Sequence, residues 1–169
     1  SKRHPLVVSW ILWYTLVEPY WKGAFTMAIL LVILGAIPYL LGYAMNWYMM
    51  EHMDALLPFK WIAVLFLLFW GLLAFLCNRK GAHSKQVILF LNLFAALNLV
   101  LLGVQEVILG AYWSNWLGLV TQFFYLPILN LGFGLSSWFS SVFVAYVVCF
   151  LLMVAFSYAG CRLRKDRYS

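Results

Sequence analysis

The polar side chains best suited to chemistry lie in the third apolar stretch of the sequence, which runs from Gln86 to about Tyr112. They are Asn92, Asn98, Gln105 and Glu106. On a helix, where successive side chains are about 100° apart, these four fall within an arc of about 140°. They are therefore predicted to face protein or water rather than lipid, and hydrogen bonding to a neighbouring helix is the simplest role for the amides.

Glu106 carries the carboxylate of this stretch. It lies about 28 Å along a helix that rises 1.5 Å per residue, and hence toward the outer interface of a bilayer. An ionisable side chain in a membrane segment is a functional-site hypothesis by default. We therefore predict an outward-facing pocket for a small substrate, a lipid or a partner. Its candidate ligand-binding residues are Asn98, Gln105, Glu106, Gln122, Asn130, Glu51 and Asp54.

A second candidate site is a cluster of thioethers and one imidazole at the end of the first apolar stretch. Its candidate metal ligands are Met49, Met50, His52 and Met53. Thioether sulfur favours Cu(I), so a Cu(I)-handling protein is one alternative. The simpler interpretation is that flexible Met side chains fill irregular apolar space, and no other cofactor is expected.

The three cysteines are isolated in the sequence, at positions 77, 149 and 161, and form no C-x-x-C pair. Neither a structural disulfide nor redox catalysis is expected from this spacing. Cys77 and His83 could form the nucleophile and base of a thiol peptidase, but no third orienting group is evident. An intramembrane enzyme, either this peptidase or one acting on a lipid-like substrate, remains an alternative, and no catalytic residue is assigned.

The elements that must position these residues are transmembrane helices. Of the 169 residues, 66% are hydrophobic and 9% are charged, and the mean hydropathy is +0.94. These values indicate a chain solvated by lipid. The predicted fold is an all-α polytopic bundle that forms a single transmembrane domain over residues 1–169. Its four predicted spans are residues 24–46, with a kink at Pro38, and residues 59–77, 86–112 and 139–160.

Two further apolar stretches are predicted not to cross the bilayer. Residues 6–22 contain three Trp and end near Glu18 and Pro19, which favours an in-plane amphipathic helix. Residues 117–135 contain the helix-breaking and polar positions Gln122, Pro127, Asn130, Gly132 and Gly134. We interpret this second stretch as a re-entrant or interfacial segment with a broken backbone on the outer side.

The basic residues set the predicted orientation. Ten of the eleven Lys and Arg residues form three clusters, at the start of the chain, in the loop after the second span and at the end, and Lys60 is the exception. By the positive-inside rule these clusters are cytoplasmic, with both termini. A crossing by residues 117–135 would place the last cluster outside, against this rule. The net charge of +6 lies beside the apolar stretches, so nucleic acid is not an expected partner.

Small residues at Gly35, Gly71, Gly103, Ala155 and Ala159 are predicted to line the helix contacts. A bundle of this size encloses little cavity by itself. Besides the lipid bilayer, a second copy of the chain or a partner membrane subunit is therefore expected. The predicted role is transport-related or that of an accessory membrane subunit.

Overall fold

The computed structural model describes residues 18–52, 57–111, 115–139 and 141–165, with the main chain alone for residues 18–24, 164 and 165. These residues form helices and their connections, and no strand occurs among them. The helices are α1 (Glu18–Gly35), α2 (Ile37–Glu51), α3 (Phe59–Arg79), α4 (Ser84–Leu91), α5 (Leu93–Gly103), the π-helical segment Val104–Ile108, α6 (Trp116–Leu135) and α7 (Val142–Lys165). The predicted all-α class is confirmed.

Four stretches are helical, long and apolar enough to cross a membrane: Phe25–Glu51, Phe59–Arg79, Trp116–Leu135 and Val142–Leu163. The bent pair Ser84–Leu91 and Leu93–Ile108 adds a fifth if it counts as one span. Helices are the expected solution here, because every backbone N–H and C=O in lipid needs an internal partner. The chain is thus a polytopic α-helical membrane bundle.

The first span is interrupted between α1 and α2, as the sequence predicts at Pro38. Pro38 has no N–H to donate to the carbonyl of Leu34. Short-range bonds cross the break instead, from Ala36 N to Ile33 O and from Tyr39 N to Ala36 O, both at 3.1 Å. The predicted in-plane helix over residues 6–22 falls mainly outside the described residues, and its last five residues belong to α1.

The third span differs from the single long helix that was predicted. It bends by 41° at Asn92, between α4 and α5, and continues into the π-helical segment. Asn92 Nδ2 donates to the carbonyl of Ile88 at 2.9 Å, so its side chain bonds to the turn that precedes the bend. The predicted third span is therefore two helices that meet at a bend, followed by a π-helical segment.

Side-chain hydrogen bonds fix the directions of the central helices. Helix α3 runs antiparallel to α4–α5, because Asn78 accepts from Ser84 at 3.4 Å while Trp70, further back on α3, donates to Asn92 at 3.1 Å. In the same way α7 is antiparallel to α4–α5, since Asn92 donates to Ser157 at 3.0 Å. At the far end of this pair, Glu106 accepts from Ser141 at 2.6 Å.

One end of the bundle holds most of the described basic residues, with Lys60 at the start of α3 as the exception, and we call it the basic end. Asn78 Nδ2 donates to the carbonyl of Cys161 at 3.0 Å, which joins the last turns of α3 and α7. The described Lys and Arg residues near this contact are Arg79, Lys80, Lys85 and Arg162. The other end, which holds Glu106 and Ser141, is called the distal end below.

Close helix contacts occur at several of the predicted small residues. A Cβ placed on Gly35 would lie 2.8 Å from the carbonyl oxygen of Leu91, and one on Gly71 would lie 3.2 Å from that of Phe156. Gly103 packs similarly against the ring of Phe143. The prediction for Ala155 and Ala159 is wrong, because both are exposed. Their neighbour Gly160 takes that role, and it packs directly on the backbone of Gly71.

The predicted broken backbone of residues 117–135 is wrong. Helix α6 is continuous from Trp116 to Leu135, with Pro127 inside it. Pro127 cannot donate to the carbonyl of Phe123. A Cβ on Gly42 would overlap that oxygen, so a Cα hydrogen of Gly42 points at it. The carbonyl that proline leaves unbonded is therefore covered by α2, through a contact of the weak Cα–H···O type.

Both ends of α6 lie toward the distal end of the bundle. Near its start, Thr121 contacts Gln105 of the π-helical segment. Near its end, Gly132 packs against Ala145, in the first turn of α7 and close to Ser141. Length and composition would allow α6 to cross a bilayer, but these contacts return the chain to the end from which it entered. The predicted return of this segment to one side agrees with them.

Candidate polar site in the distal half of the bundle

The distal polar site comprises Gln105 and Glu106 together with Thr121 and Ser141. Gln105 and Glu106 are adjacent in the π-helical segment, in which Leu109 N donates to Val104 O at 3.0 Å. A π-helical turn is wider than an α-helical one, and such turns occur often at functional sites. Here the irregular turn coincides with two adjacent polar positions of the third span.

Gln105 is fully buried and joins the π-helical segment to α6. Its Nε2 donates to Thr121 Oγ1 at 3.3 Å, and this hydroxyl donates to the carbonyl of Gly118 at 2.7 Å. The first turn of α6 is fixed by Asn115, whose Oδ1 accepts from the backbone N–H of Gly118 at 3.0 Å. An N-cap of this kind therefore sets the position of Thr121 opposite Gln105.

Glu106 is half-buried and joins the π-helical segment to α7. Its Oε1 accepts a 2.6 Å hydrogen bond from Ser141 Oγ, and Ser141 immediately precedes the first residue of α7. The positive end of the α7 dipole lies on this side, which favours a carboxylate. Two adjacent residues thus bind two different elements, α6 and the start of α7, and these elements converge on one place.

Asn98 lies seven residues before Gln105, about 10 Å deeper along the helix. It is 1% exposed, and its Nδ2 donates to the hydroxyl of Tyr39 and, at 2.7 Å, to the carbonyl of Phe94. Its Oδ1 is buried and has no hydrogen-bond partner among the described atoms. Asn98 therefore lies in a second polar layer, which is deeper in the bundle than the distal polar site and separate from it.

Asn92 lies in a third polar layer, deeper still, at the bend between α4 and α5. Its Oδ1 accepts from Trp70 Nε1 at 3.1 Å, and its Nδ2 donates to Ser157 Oγ at 3.0 Å. The Ser157 hydroxyl in turn donates to the carbonyl of Met153 at 2.8 Å. Every hydrogen-bonding group of this set has a partner, and the set ties α3, α4 and α7 together. This is the structural role that the sequence suggested for amides in this span.

The remaining predicted ligand residues are not brought into the distal polar site by any described contact. Gln122 is half-buried beside Thr121, and Asn130 is exposed on the face of α6 that is opposite to its buried face. Glu51 is exposed at the end of α2, and Asp54 lies outside the described residues. Thr121 and Ser141 are not among the residues predicted from the sequence, because nothing in the sequence gives the rotation of α6 or the depth of α7.

The candidate copper ligands are spread over the end of α2. Met49 is half-buried and Met50 is exposed, and Met53 lies outside the described part of the chain. The imidazole of His52 stacks on the Tyr48 ring at a centroid distance of 4.6 Å. Within residues 18–52, 57–111, 115–139 and 141–165, no group of three His, Cys, Asp or Glu side chains could hold a metal. Cu(I) binding stays a prediction.

The cysteines are buried free thiols. Cys77 and Cys161 lie near each other where α3 and α7 end. Cys149 Sγ donates to the carbonyl of Ile128 at 3.6 Å. His83 is exposed at the start of α4. Cys77 is 5% exposed, so its thiol is poorly accessible to a substrate. The thiol peptidase likewise stays a prediction.

No family model, curated protein or solved structure matches this chain. Its class is therefore defined by the fold and by the placement of its polar groups. It is an all-α polytopic membrane protein. The chain leads into the apolar helix α6, and out of it again, at the distal end of the bundle.

Proposed function

We propose that this chain is a transport-related or accessory membrane protein that binds a small polar ligand at the distal polar site. The observation that carries the proposal is the convergence of α6 and α7 on two adjacent polar residues of a π-helical segment. A ligand whose hydrogen-bond donors reach the carboxylate of Glu106 suits this site, since charge-assisted hydrogen bonds are the stronger ones.

The proposed orientation places the basic end in the cytoplasm, and the distal polar site toward the outside. The positive-inside rule supports it, because Arg79, Lys80 and Arg162 share one end of the bundle. Exposed tryptophans at the distal end are the kind found at membrane interfaces: Trp47, Trp61, Trp116 and Trp138.

Holding helices together does not require a carboxylate or a π-helical turn, and the distal polar site has both. The hydrogen bonds of Asn92 with Trp70 and Ser157 join helices with one amide, one indole and one hydroxyl. These residues lie on regular α-helices, apart from the bend at Asn92. The distal polar site adds a carboxylate, which is rare in membrane segments and usually functional, and a π-helical turn, which is frequent at functional sites. A ligand that uses the carboxylate gives a reason for retaining both.

Native mass spectrometry tests the proposal on protein transferred from the expressing cells into nanodiscs. We expect a bound small molecule or lipid on the wild type, with occupancy at least tenfold lower in Glu106→Gln, because a charge-assisted bond is lost. The matched control is Glu51→Gln, which makes the same change at an exposed carboxylate. Equal occupancy in Glu106→Gln and Glu51→Gln, or no bound species on the wild type, would contradict the proposal.

A further inference from the structure

The orientation of the Asn98 amide is fixed by its surroundings. The carbonyl of Phe94 can only accept, and it lies 2.7 Å from Nδ2, so the amide nitrogen must face it. Exchanging the two amide atoms would bring two carbonyl oxygens into contact. The Oδ1 atom is therefore the one that points away from its own helix, and it is buried without a partner in the described part of the chain.

The hydroxyl of Tyr39 complements that oxygen. Because it accepts from Asn98 Nδ2, its own proton is not used in this bond and can be donated elsewhere. One acceptor, Oδ1, and one donor, the Tyr39 O–H, thus lie beside the same amide group. A buried carbonyl without a partner is destabilising, so a group that bridges both atoms would be favourable.

The chemistry of the neighbours limits what the bridging group can be. The Tyr39 ring packs edge-on against Phe94 and Phe124, with centroid distances of 5.8 and 4.8 Å. Nearby, Tyr125 OH donates to the carbonyl of Ala95 at 2.6 Å. These neighbours are neutral, so they favour an uncharged group that donates one hydrogen bond and accepts another.

We infer that Asn98 and Tyr39 form a binding site for a single hydroxyl group between α2 and α5. The hydroxyl donates to Asn98 Oδ1 and accepts from Tyr39. It belongs either to a water molecule or to a small neutral ligand that carries a hydroxyl. The inference does not depend on the proposed ligand site, because it uses neither Glu106 nor Gln105.

Proton-detected solid-state NMR tests the site in bilayers with deuterated acyl chains. We expect magnetisation transfer to the Asn98 side-chain amide from a proton that is resolved from the Tyr39 hydroxyl. Transfer from the water resonance, lost in deuterium oxide, identifies bound water. Transfer from non-exchanging C–H protons that belong neither to the protein nor to lipid identifies a ligand hydroxyl. The internal control is Asn92, which is also buried and has partners on both amide atoms.

Tyr39→Phe tests the donor side, since it removes one oxygen and keeps the ring. We expect the transfer to Asn98 to fall at least twofold, while the matched variant Tyr43→Phe, at an exposed position on the same helix, leaves it unchanged. The inference is overturned if wild-type Asn98 shows no more transfer than Asn92. It is also overturned if Tyr39→Phe behaves like Tyr43→Phe.

Discussion

At the scale of single residues, asparagine takes several roles in this chain. Asn92 has a partner for each amide atom, Asn98 has a partner for its nitrogen alone among the described groups, and Asn130 is exposed. The sequence placed Asn92 and Asn98 correctly on a buried arc. It could not distinguish them further, because their partners come from α2, α3 and α7.

Asn92→Ala is expected to destabilise the bundle by about 1–2 kcal/mol, because it leaves the buried indole N–H of Trp70 without its acceptor. Unfolding in detergent mixed with increasing dodecyl sulfate measures the change. The control Asn130→Ala removes the same side chain at an exposed position and should change stability by less than about 0.5 kcal/mol. Equal losses in the two variants would show that the Asn92 hydrogen bonds do not stabilise the fold.

At the scale of elements, α6 shows how neighbouring helices override a local signal. Proline, glycine and polar residues in this stretch predicted a broken backbone, yet the helix continues through Pro127. Its neighbours make this possible, because Gly42 covers the carbonyl that Pro127 cannot reach and Gly132 lets α7 approach closely. Proline in a membrane helix is tolerated where another helix compensates in this way.

Gly42→Ala is expected to destabilise the protein by about 1–3 kcal/mol, because the added methyl group would overlap a backbone oxygen that no side-chain rotation can move. The same detergent unfolding experiment applies. Gly134→Ala is the matched control within α6, where no described atom outside the adjacent turns of α6 lies within 4 Å of the added carbon. It should be neutral or stabilising by up to about 1 kcal/mol, as expected for Ala over Gly in a helix. A neutral Gly42→Ala would refute the close contact of α2 with α6.

At the scale of the whole molecule, the topology depends on the course of α6. The first and third spans run in one direction, and α3 and α7 run in the other. Because α6 returns to the distal end, the described helices make an even number of passes along the bundle, and Arg79, Lys80, Lys85 and Arg162 share one end. The charge distribution led to the same arrangement from the sequence alone, since basic loops on opposite sides would violate the positive-inside rule.

Cysteine labelling with a membrane-impermeant maleimide tests this course in sealed vesicles, in a background in which the three native cysteines are alanine. Ala111→Cys and Ser137→Cys, exposed positions before and after α6, should react from the same side. His83→Cys, exposed at the basic end, should react from the opposite side. If Ser137→Cys instead shares the side of His83→Cys, then α6 crosses the bilayer and the contacts described for it do not persist in membranes.

The sequence by itself indicated that the protein is solvated by lipid. It also predicted the helical class, the break near Pro38 and the grouping of basic residues. These follow from hydropathy, charge and proline geometry, which act locally along the chain. The tertiary structure alone decided that Gln105 meets Thr121, that Glu106 meets Ser141 and that Asn98 Oδ1 has no described partner. Such pairings depend on the rotation and depth of one helix against another. Close backbone contacts such as that of Gly71 with Gly160 help to set them, and no local pattern records them.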